Sequence, residues 1–315
     1  MNSTKLPGDL EEIVENLNEN MHEIHERLQN EKTNIVQPSN IYHYTSIDAL
    51  KGIIETGSLW LSDIFSMNDP SEIWHGFNLI ARIAGEYAEK GSKEIREFAS
   101  VFARPLNRGL EDIAEFFTCC FSVNGTDLSQ WRAYADDGRR VALLFDAMNI
   151  EKAFRGQNPE LRSGFRLQYD DEKLKNIQRE LMEPILEVVA KAGKFKTDIK
   201  NIWHAKLCTL MAGHAAAASL YFKHPAYAHE KEYRFLELHE EGGATDVKFR
   251  LRGKELVRYR EFDWRGQGAD VLQEVVIGPA VINKPTMLRN IKHFLKKHDL
   301  AHVEVRCSDI PYRCR

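Results

Sequence analysis

Two glutamates and an arginine alternate with aromatic residues in the segment HEKEYRF, which ends at Phe235. If this segment forms a strand, Glu230, Glu232 and Arg234 share one face, and Tyr233 and Phe235 form the opposite, core-facing side. One carboxylate can bind a ribose 2′-hydroxyl and stabilise positive charge that develops on a sugar ring. The second can orient or deprotonate a nucleophile. The alternative is a solvated strand held by salt bridges, and the spacing alone leaves both interpretations open.

A histidine lies at a second place where chemistry is possible, in the segment IYHYTS. Tyr42 and Tyr44 favour extended backbone, and Thr45 or Ser46 can cap a helix that follows directly. Since neighbouring side chains of a strand alternate, His43 points away from the face of the two tyrosines. An imidazole beside the free amides of a helix N-terminus suits a ribose or a phosphate-bearing ligand. A structural histidine is the alternative.

A serine and two aromatic residues form a third candidate group. Ser122 ends an apolar run that reads as a buried strand, where its hydroxyl can bind a ligand or brace a catalytic carboxylate. It lacks the Gly-x-Ser-x-Gly motif of a hydrolase nucleophile. Trp131 and Tyr134 are three residues apart and share a face of a short predicted helix. They are interpreted either as core or as an aromatic wall for a flat ring.

Composition limits the classes of protein to consider. The chain has 315 residues, 43% of them hydrophobic, which is enough to bury a large core in one large or two modest domains. A net charge of −4 gives no global attraction to nucleic acid or to an anionic membrane. No membrane span, signal peptide or metal-binding motif is recognisable. The five cysteines lack the spacing of a disulfide framework, so we expect free thiols in a cytoplasmic protein.

The elements that must position these residues are strands scattered among helices, without regular alternation into crossover units, which predicts an α+β fold. Residues 1–36 are assigned to an N-terminal amphipathic helix, and 37–315 to a single α+β domain with a helical insertion at about 171–222. The apolar stripe of the N-terminal helix favours docking on the domain; a homo-oligomer formed through it is the alternative. Strands are predicted at 116–123, 140–145, 165–169, 232–238, 247–251, 255–260, 272–277 and 303–307.

Taken in order, these motifs resemble a bacterial family, the domain of unknown function 2971, from about residue 40 to the C-terminus. The motifs that carry the resemblance are YHYT at 42–45, NDP at 68–70 with Glu72, CFS at 120–122, Trp131 with Tyr134, Gly138, EKEYR at 230–234 and IPYR at 310–313.

That family is in turn similar to the ADP-ribosyltransferase superfamily, in which a histidine or arginine strand, a serine or aromatic strand and a late glutamate hold NAD. The resemblance implies a mixed, mostly antiparallel split sheet with helical insertions, and NAD bound as a substrate. It makes Glu232 the catalytic glutamate and Glu230 its partner. The residues that it implies for binding are His43, Tyr44, Thr45, Ser122, Trp131, Tyr134 and Arg234.

The implied function is an NAD-consuming enzyme that transfers ADP-ribose to a protein or nucleic-acid acceptor, or hydrolyses NAD, as a toxin or antiphage defence effector. The alternative is a non-catalytic module that keeps the fold and binds a nucleotide or RNA. A basic stretch from Arg250 to Arg260 favours this alternative, although a solvated sheet face also explains it. In the catalytic interpretation, Glu232 is expected to matter more to activity than to stability.

Overall fold

The computed structural model describes residues 8–33, 38–67, 71–102, 114–159, 161–191, 197–240, 242–266 and 271–312. The NDP motif at 68–70 and Arg313 lie outside the described residues. The chain divides into two compact units. Unit 1 comprises Met1–Asn34, Asp69–Ile113 and Gln168–Ala226, and unit 2 comprises Ile35–Asn68, Ala114–Leu167 and Tyr227–Arg315. This division differs from the predicted single domain over 37–315, because the helical segments at 71–102 and 168–226 cluster with the N-terminal helix.

The elements alternate irregularly between helix and strand, as an α+β fold requires. In chain order they are α1 (Gly8–Thr33), β1 (Asn40–Thr45), α2 (Ile47–Thr56), β2 (Ser58–Asp63), α3 (Ser71–Lys90), α4 (Lys93–Phe102), β3 (Ala114–Ser122), α5 (Leu128–Tyr134), β4 (Val141–Asp146), α6 (Ala147–Gln157), β5 (Arg162–Arg166), α7 (Asp171–Lys191), α8 (Thr197–Ser219), β6 (Glu232–Glu240), β7 (Lys248–Arg252), β8 (Glu255–Asp263), β9 (Leu272–Ile277), α9 (Lys284–Lys297) and β10 (Glu304–Cys307). None of the described helices is long and apolar enough to cross a bilayer.

Unit 1 is helical and consists of α1, α3, α4, α7 and α8. The apolar stripe of α1 is buried within the chain, where the helix packs against α7 and α8. Its buried residues are Leu10, Leu17, Met21, Ile24 and Leu28. The helix is therefore docked. The stripe that a homo-oligomer would bury is already covered in the same chain.

A chain of polar side chains fastens α1 to α8. His214 donates from Nε2 to Oδ1 of Asn18 over 2.9 Å, because that amide oxygen can only accept. Its Nδ1 then accepts from Nε2 of His25 at 3.1 Å. Burial and the neighbouring His22 lower the pKa of His214 to about 4. Protonation of His214 would put a proton on the Nδ1 that accepts this bond, so the bond from His25 in this form would be lost.

This arrangement predicts that acid weakens the α1–α8 contact. The folded pKa of His214 lies below its ordinary value of 6.5, so its contribution to stability is complete above that pH and declines as the pH falls towards 4. Local stability should fall by about 2 kcal/mol between about pH 7 and pH 5. Amide hydrogen exchange in α8 measures this, and His214→Gln should flatten the dependence. An unchanged pH dependence in the variant would contradict the prediction.

Unit 2 is built on a mixed, mostly antiparallel sheet, which agrees in this respect with what the family resemblance implies. The strand order is β10-β9-β4-β1-β3-β2-β8-β7, with β6 paired to β3 and β5 paired to β6. Among the described strand pairs, only β9 with β10 is parallel. The core lies on one face of the sheet, beneath α2, α6 and α9. A smaller apolar cluster around Trp131 joins α5 to β1, β4 and β9.

The sheet divides along one edge of β3. Strand β6 pairs with β3 over its whole length, from Ala114 to Ser122. The opposite edge is shared: β1 pairs with it only at Ser122, and β2 only at Phe117 and Thr118. Within the described strands, Cys119 to Phe121 therefore have no strand partner on this edge. We call this stretch the β1–β2 gap.

Helix α2 begins and ends where the sequence predicts. Ser46 is the N-cap, and its Oγ accepts from the backbone N of Ala49 at 3.0 Å. Gly57 ends the helix with φ of 68°, a left-handed conformation that glycine adopts without steric cost. Leu50, Ile53 and Ile54 bury its inner face. This rigid turn fixes the direction of β1 immediately before it.

Strand β6 also carries a buried ion cluster on its core-facing side. Glu237 accepts hydrogen bonds at 2.6 Å from Nε of Arg162, Nε of Arg260 and Nε2 of His239. Burial by itself would raise the pKa of Glu237. The hydrogen bond from His239 and the two guanidinium charges outweigh burial and lower it.

Glu237→Gln should destabilise unit 2 by about 3 kcal/mol or more, because it leaves two buried cations without their shared carboxylate. Chemical denaturation near neutral pH measures the loss. Since the folded pKa of Glu237 is depressed, its contribution is present above its ordinary value of 4.5 and lost as the pH falls below it. Glu240→Gln, at the exposed end of the same strand, is the matched control. Equal stability of the two variants would refute this account.

Candidate functional site

A cleft of about 480 Å³ lies in unit 2, and β1, β2, β3, α5 and β7 contribute to its lining. Seven of the nine residues that the sequence singles out for catalysis or binding line it. They are His43, Tyr44, Thr45, Ser122, Tyr134, Glu230 and Glu232. Three segments far apart in the chain thus meet at the β1–β2 gap, as expected when loops and strand ends build a site on a rigid sheet.

His43 closes the β1–β2 gap from the β1 side. Its Nδ1 lies 3.0 Å from the backbone oxygen of Cys120, in the stretch of β3 without a strand partner on this edge. A carbonyl oxygen only accepts, so Nδ1 carries the proton. Burial lowers the pKa of His43, which is therefore neutral near pH 7. The lone pair then lies on Nε2, where it can accept a hydrogen bond from a ligand hydroxyl.

Ser122 is a positioning residue at the end of β3. Its hydroxyl donates to the backbone oxygen of Glu230 at 2.8 Å and accepts from the backbone N of Asn124 at 3.1 Å. The backbone N of Val123 also donates to the oxygen of Lys231. These bonds tie the end of β3 to the turn that precedes β6. Ser122 thereby holds the backbone from which both glutamates project.

Glu232 is the first residue of β6 and pairs with Ser122 across the sheet. It is buried, with 5% of its surface exposed, and still lines the cleft. Oε1 of Glu232 accepts hydrogen bonds from Arg234, with both guanidinium contacts at 2.7 Å. The interpretation of this strand as a solvated, salt-bridged one is therefore wrong. The ion pair is buried, and its carboxylate faces a cavity.

Glu230 does not lie on the strand, contrary to the prediction that it shares a face with Glu232 by alternation. It ends a 3₁₀ turn, Pro225–Glu230, and Lys231 follows with a left-handed φ of 45°. This turn brings the side chain of Glu230 into the cleft by another route. Its Oε1 accepts a hydrogen bond from the hydroxyl of Tyr134 at 2.9 Å.

Two predicted binding residues do not line the cleft. Trp131 is fully buried in the smaller apolar cluster, with its ring edge-on to Tyr44 at 5.0 Å between centroids. Arg234 is also buried and contacts Glu232. Trp131 is thus a core residue that supports the wall formed by Tyr44. Arg234 acts on the site through the carboxylate that it holds.

Tyr44 is fixed as part of that wall. Its hydroxyl donates to the backbone oxygen of Asn124 at 2.8 Å, and burial raises the pKa of its phenol. Thr45, which is buried, follows at the end of β1 and lines the cleft beside the capped start of α2.

Trp60 and Ser62 line the β2 side of the cleft together with Arg250 of β7, and none of the three is among the predicted site residues. The strand signal was present, because Leu59 and Leu61 alternate with Trp60 and Ser62. Turn-forming residues directly after it hid the strand. The sequence indicated Arg250 only as a member of the basic stretch from Arg250 to Arg260. In the described part of the chain, no cluster of three or more His, Cys, Asp or Glu side chains has the arrangement of a metal site.

A sequence profile of the family described as "Protein of unknown function (DUF2971)" matches residues 130–235. This match confirms the predicted resemblance to that family over about a third of the chain. It includes Tyr134, Glu230 and Glu232 of the cleft, whereas His43 and Ser122 precede it. No curated protein and no solved structure matches the chain.

The bracing role of Ser122 can be tested by Ser122→Ala. The loss of the hydroxyl leaves the oxygen of Glu230 and the N–H of Asn124 without this partner in a buried place, so unfolding should cost about 1–3 kcal/mol less. Chemical denaturation measures the change. Ser58→Ala removes an exposed hydroxyl from β2 and should change little. Identical stabilities would show that Ser122 does not brace the turn.

Proposed function

We propose that the chain is an NAD-consuming enzyme of the ADP-ribosyltransferase type, which transfers ADP-ribose to a macromolecule or hydrolyses NAD in the cleft of unit 2. One observation carries the proposal. A buried carboxylate, Glu232, and a neutral histidine, His43, line the same cleft where two strands part along a third. This combination suits a sugar that becomes positively charged during reaction, because one group stabilises the charge and the other binds a hydroxyl.

The chemistry assigns a role to each group. When the bond between ribose C1′ and the nicotinamide nitrogen breaks, its electron pair leaves with nicotinamide and the ribose becomes oxocarbenium-like. Glu232 stabilises that charge, and Nε2 of His43 accepts a hydrogen bond from a ribose hydroxyl. A water or acceptor oxygen then bonds to C1′. Glu230, oriented by Tyr134, takes the proton that this nucleophile loses.

The second candidate is a non-catalytic module that binds a nucleotide or RNA. The observation that favours it is the presence of Arg250 and Arg252 in the lining of the same cleft, because cations attract phosphates whether or not turnover follows. Release of free nicotinamide from NAD by the purified protein separates the two candidates.

Glu232→Gln should lower nicotinamide release by about a hundredfold or more per folded molecule, because the amide keeps the shape and loses the stabilising charge. The structure revises the expectation for stability. Arg234 is buried, so the variant should also unfold more easily, by about 3 kcal/mol. Activity must therefore be normalised to the folded fraction, measured by circular dichroism at the assay temperature.

The matched control is Glu237→Gln. It breaks a buried ion cluster on the same strand, and Glu237 is not among the described residues that line the cleft. This control should lose stability and keep its activity per folded molecule. If both variants retain wild-type activity per folded molecule, Glu232 is structural and the proposal fails. Absence of nicotinamide release by the wild-type protein would also overturn it.

A further inference from the structure

The hairpin of β7 and β8 carries a row of basic side chains, and four of them contact a carboxylate. Arg258 contacts Asp63 and Glu115, and Arg260 contacts Glu237. Lys248 pairs with the half-buried Glu261, and Arg252 pairs with the exposed Glu255. Arg250 has no carboxylate within ion-pair distance in the described part of the chain.

Arg250 is nevertheless held in place. One terminal nitrogen donates to Oγ of Ser62 at 3.0 Å, and the guanidinium carbon lies 5.3 Å from the ring centroid of Trp60. Tyr259 supports that ring from 4.5 Å. The Nε of Arg250 is buried and has no hydrogen-bond partner among the described residues. The guanidinium is thus fixed by neutral groups, and its charge is left for a ligand.

The surroundings leave this charge uncompensated. Burial, and then the neighbouring Arg252, lower the pKa of Arg250, which means that its environment disfavours a cation. An anion in the cleft would relieve this cost. Because Arg250 and Glu232 line the same cleft, the cavity offers a cation and a carboxylate to one ligand.

We propose that Arg250, supported by Trp60 and Ser62, binds the diphosphate of a dinucleotide whose nicotinamide-side ribose lies at His43 and Glu232. This assignment rests on the proposed function and names the part of the substrate that the basic side of the cleft binds. A guanidinium suits this role because its fixed fork of N–H donors matches phosphate oxygens. Trp60, with 43% of its surface exposed, keeps the fork oriented while remaining accessible to the ligand.

Titration calorimetry of the full chain with ADP and with adenosine tests the proposal. The wild-type protein should bind ADP more tightly than adenosine. Arg250→Gln should weaken ADP binding at least about tenfold and leave adenosine binding unchanged. Arg250→Lys, which keeps the charge and loses the fork, should lie between them. Lys248→Ala removes a cation from the same strand and should bind both probes like the wild type.

Three results would overturn the assignment. The wild-type protein does not bind ADP, or Arg250→Gln binds ADP as tightly as the wild type does. The third is that Arg250→Gln loses affinity for ADP and for adenosine equally. The last result would mark Arg250 as a structural residue. Binding of single-stranded RNA in place of ADP is a form of the first result. The outcome is separate from that of the NAD assay. If ADP binding depends on Arg250 but no nicotinamide is released, the diphosphate site is supported and catalysis is rejected. If nicotinamide is released and Arg250→Gln leaves its rate unchanged, catalysis is supported and the diphosphate site is rejected.

Discussion

Strand β3 organises unit 2 because its two edges are paired differently. One edge is continuous with β6, which fixes Ser122 opposite Glu232. The other edge is divided between β1 and β2, and neither of these two strands pairs with Cys119 to Phe121. A backbone carbonyl buried without a hydrogen bond is costly, so this gap requires a side-chain donor. His43 supplies it at Cys120, which ties the histidine to the β1–β2 gap.

Strand β6 is charged on both faces although it is buried. On one face Glu232 pairs with Arg234, and on the other Glu237 collects three donors. Buried ions of this kind stabilise a fold less than apolar residues of similar volume would. The cluster around Glu237 is enclosed, whereas the carboxylate of Glu232 faces a cavity. This difference in environment is the reason to assign function to one glutamate and structure to the other.

The sequence predicts those features of the fold that depend only on the conformational preferences of neighbouring residues. The cap at Ser46, the stop at Gly57 and the buried run that became β3 all follow from backbone preferences of a few residues. Helix α6 was missed because it starts directly after β4, with Asp146 as both the strand end and the N-cap. Because no loop residues separate β4 from α6, the sequence has no turn signal to mark where the helix begins.

The candidate site was less predictable from the sequence, because strand register and turn conformation decide which side chains reach the cleft. Alternation predicted Glu230 on a strand. In the structure the backbone turns at Lys231, which has a left-handed φ, so that Glu230 lies in the turn before β6. Spacing put Trp131 and Tyr134 on one helix face, and only the packing of Tyr44 shows that one ring is core and the other faces the cleft. The pairing of Ser122 with Glu232 spans more than a hundred residues, so no local pattern contains it.

The charges of the cleft restrict the kind of ligand that can fill it. A carboxylate held by Arg234 repels an anion, and an unpaired guanidinium repels a cation, so neither a simple phosphate nor a simple amine satisfies both groups. A molecule with a neutral or electron-poor sugar and a separate anionic group satisfies both, provided that it enters in one orientation. The neutral His43 adds an acceptor for hydroxyls and no charge. Under the proposed function, a nucleotide with its sugar near Glu232 and its phosphates near Arg250 has the polarity that these charges favour.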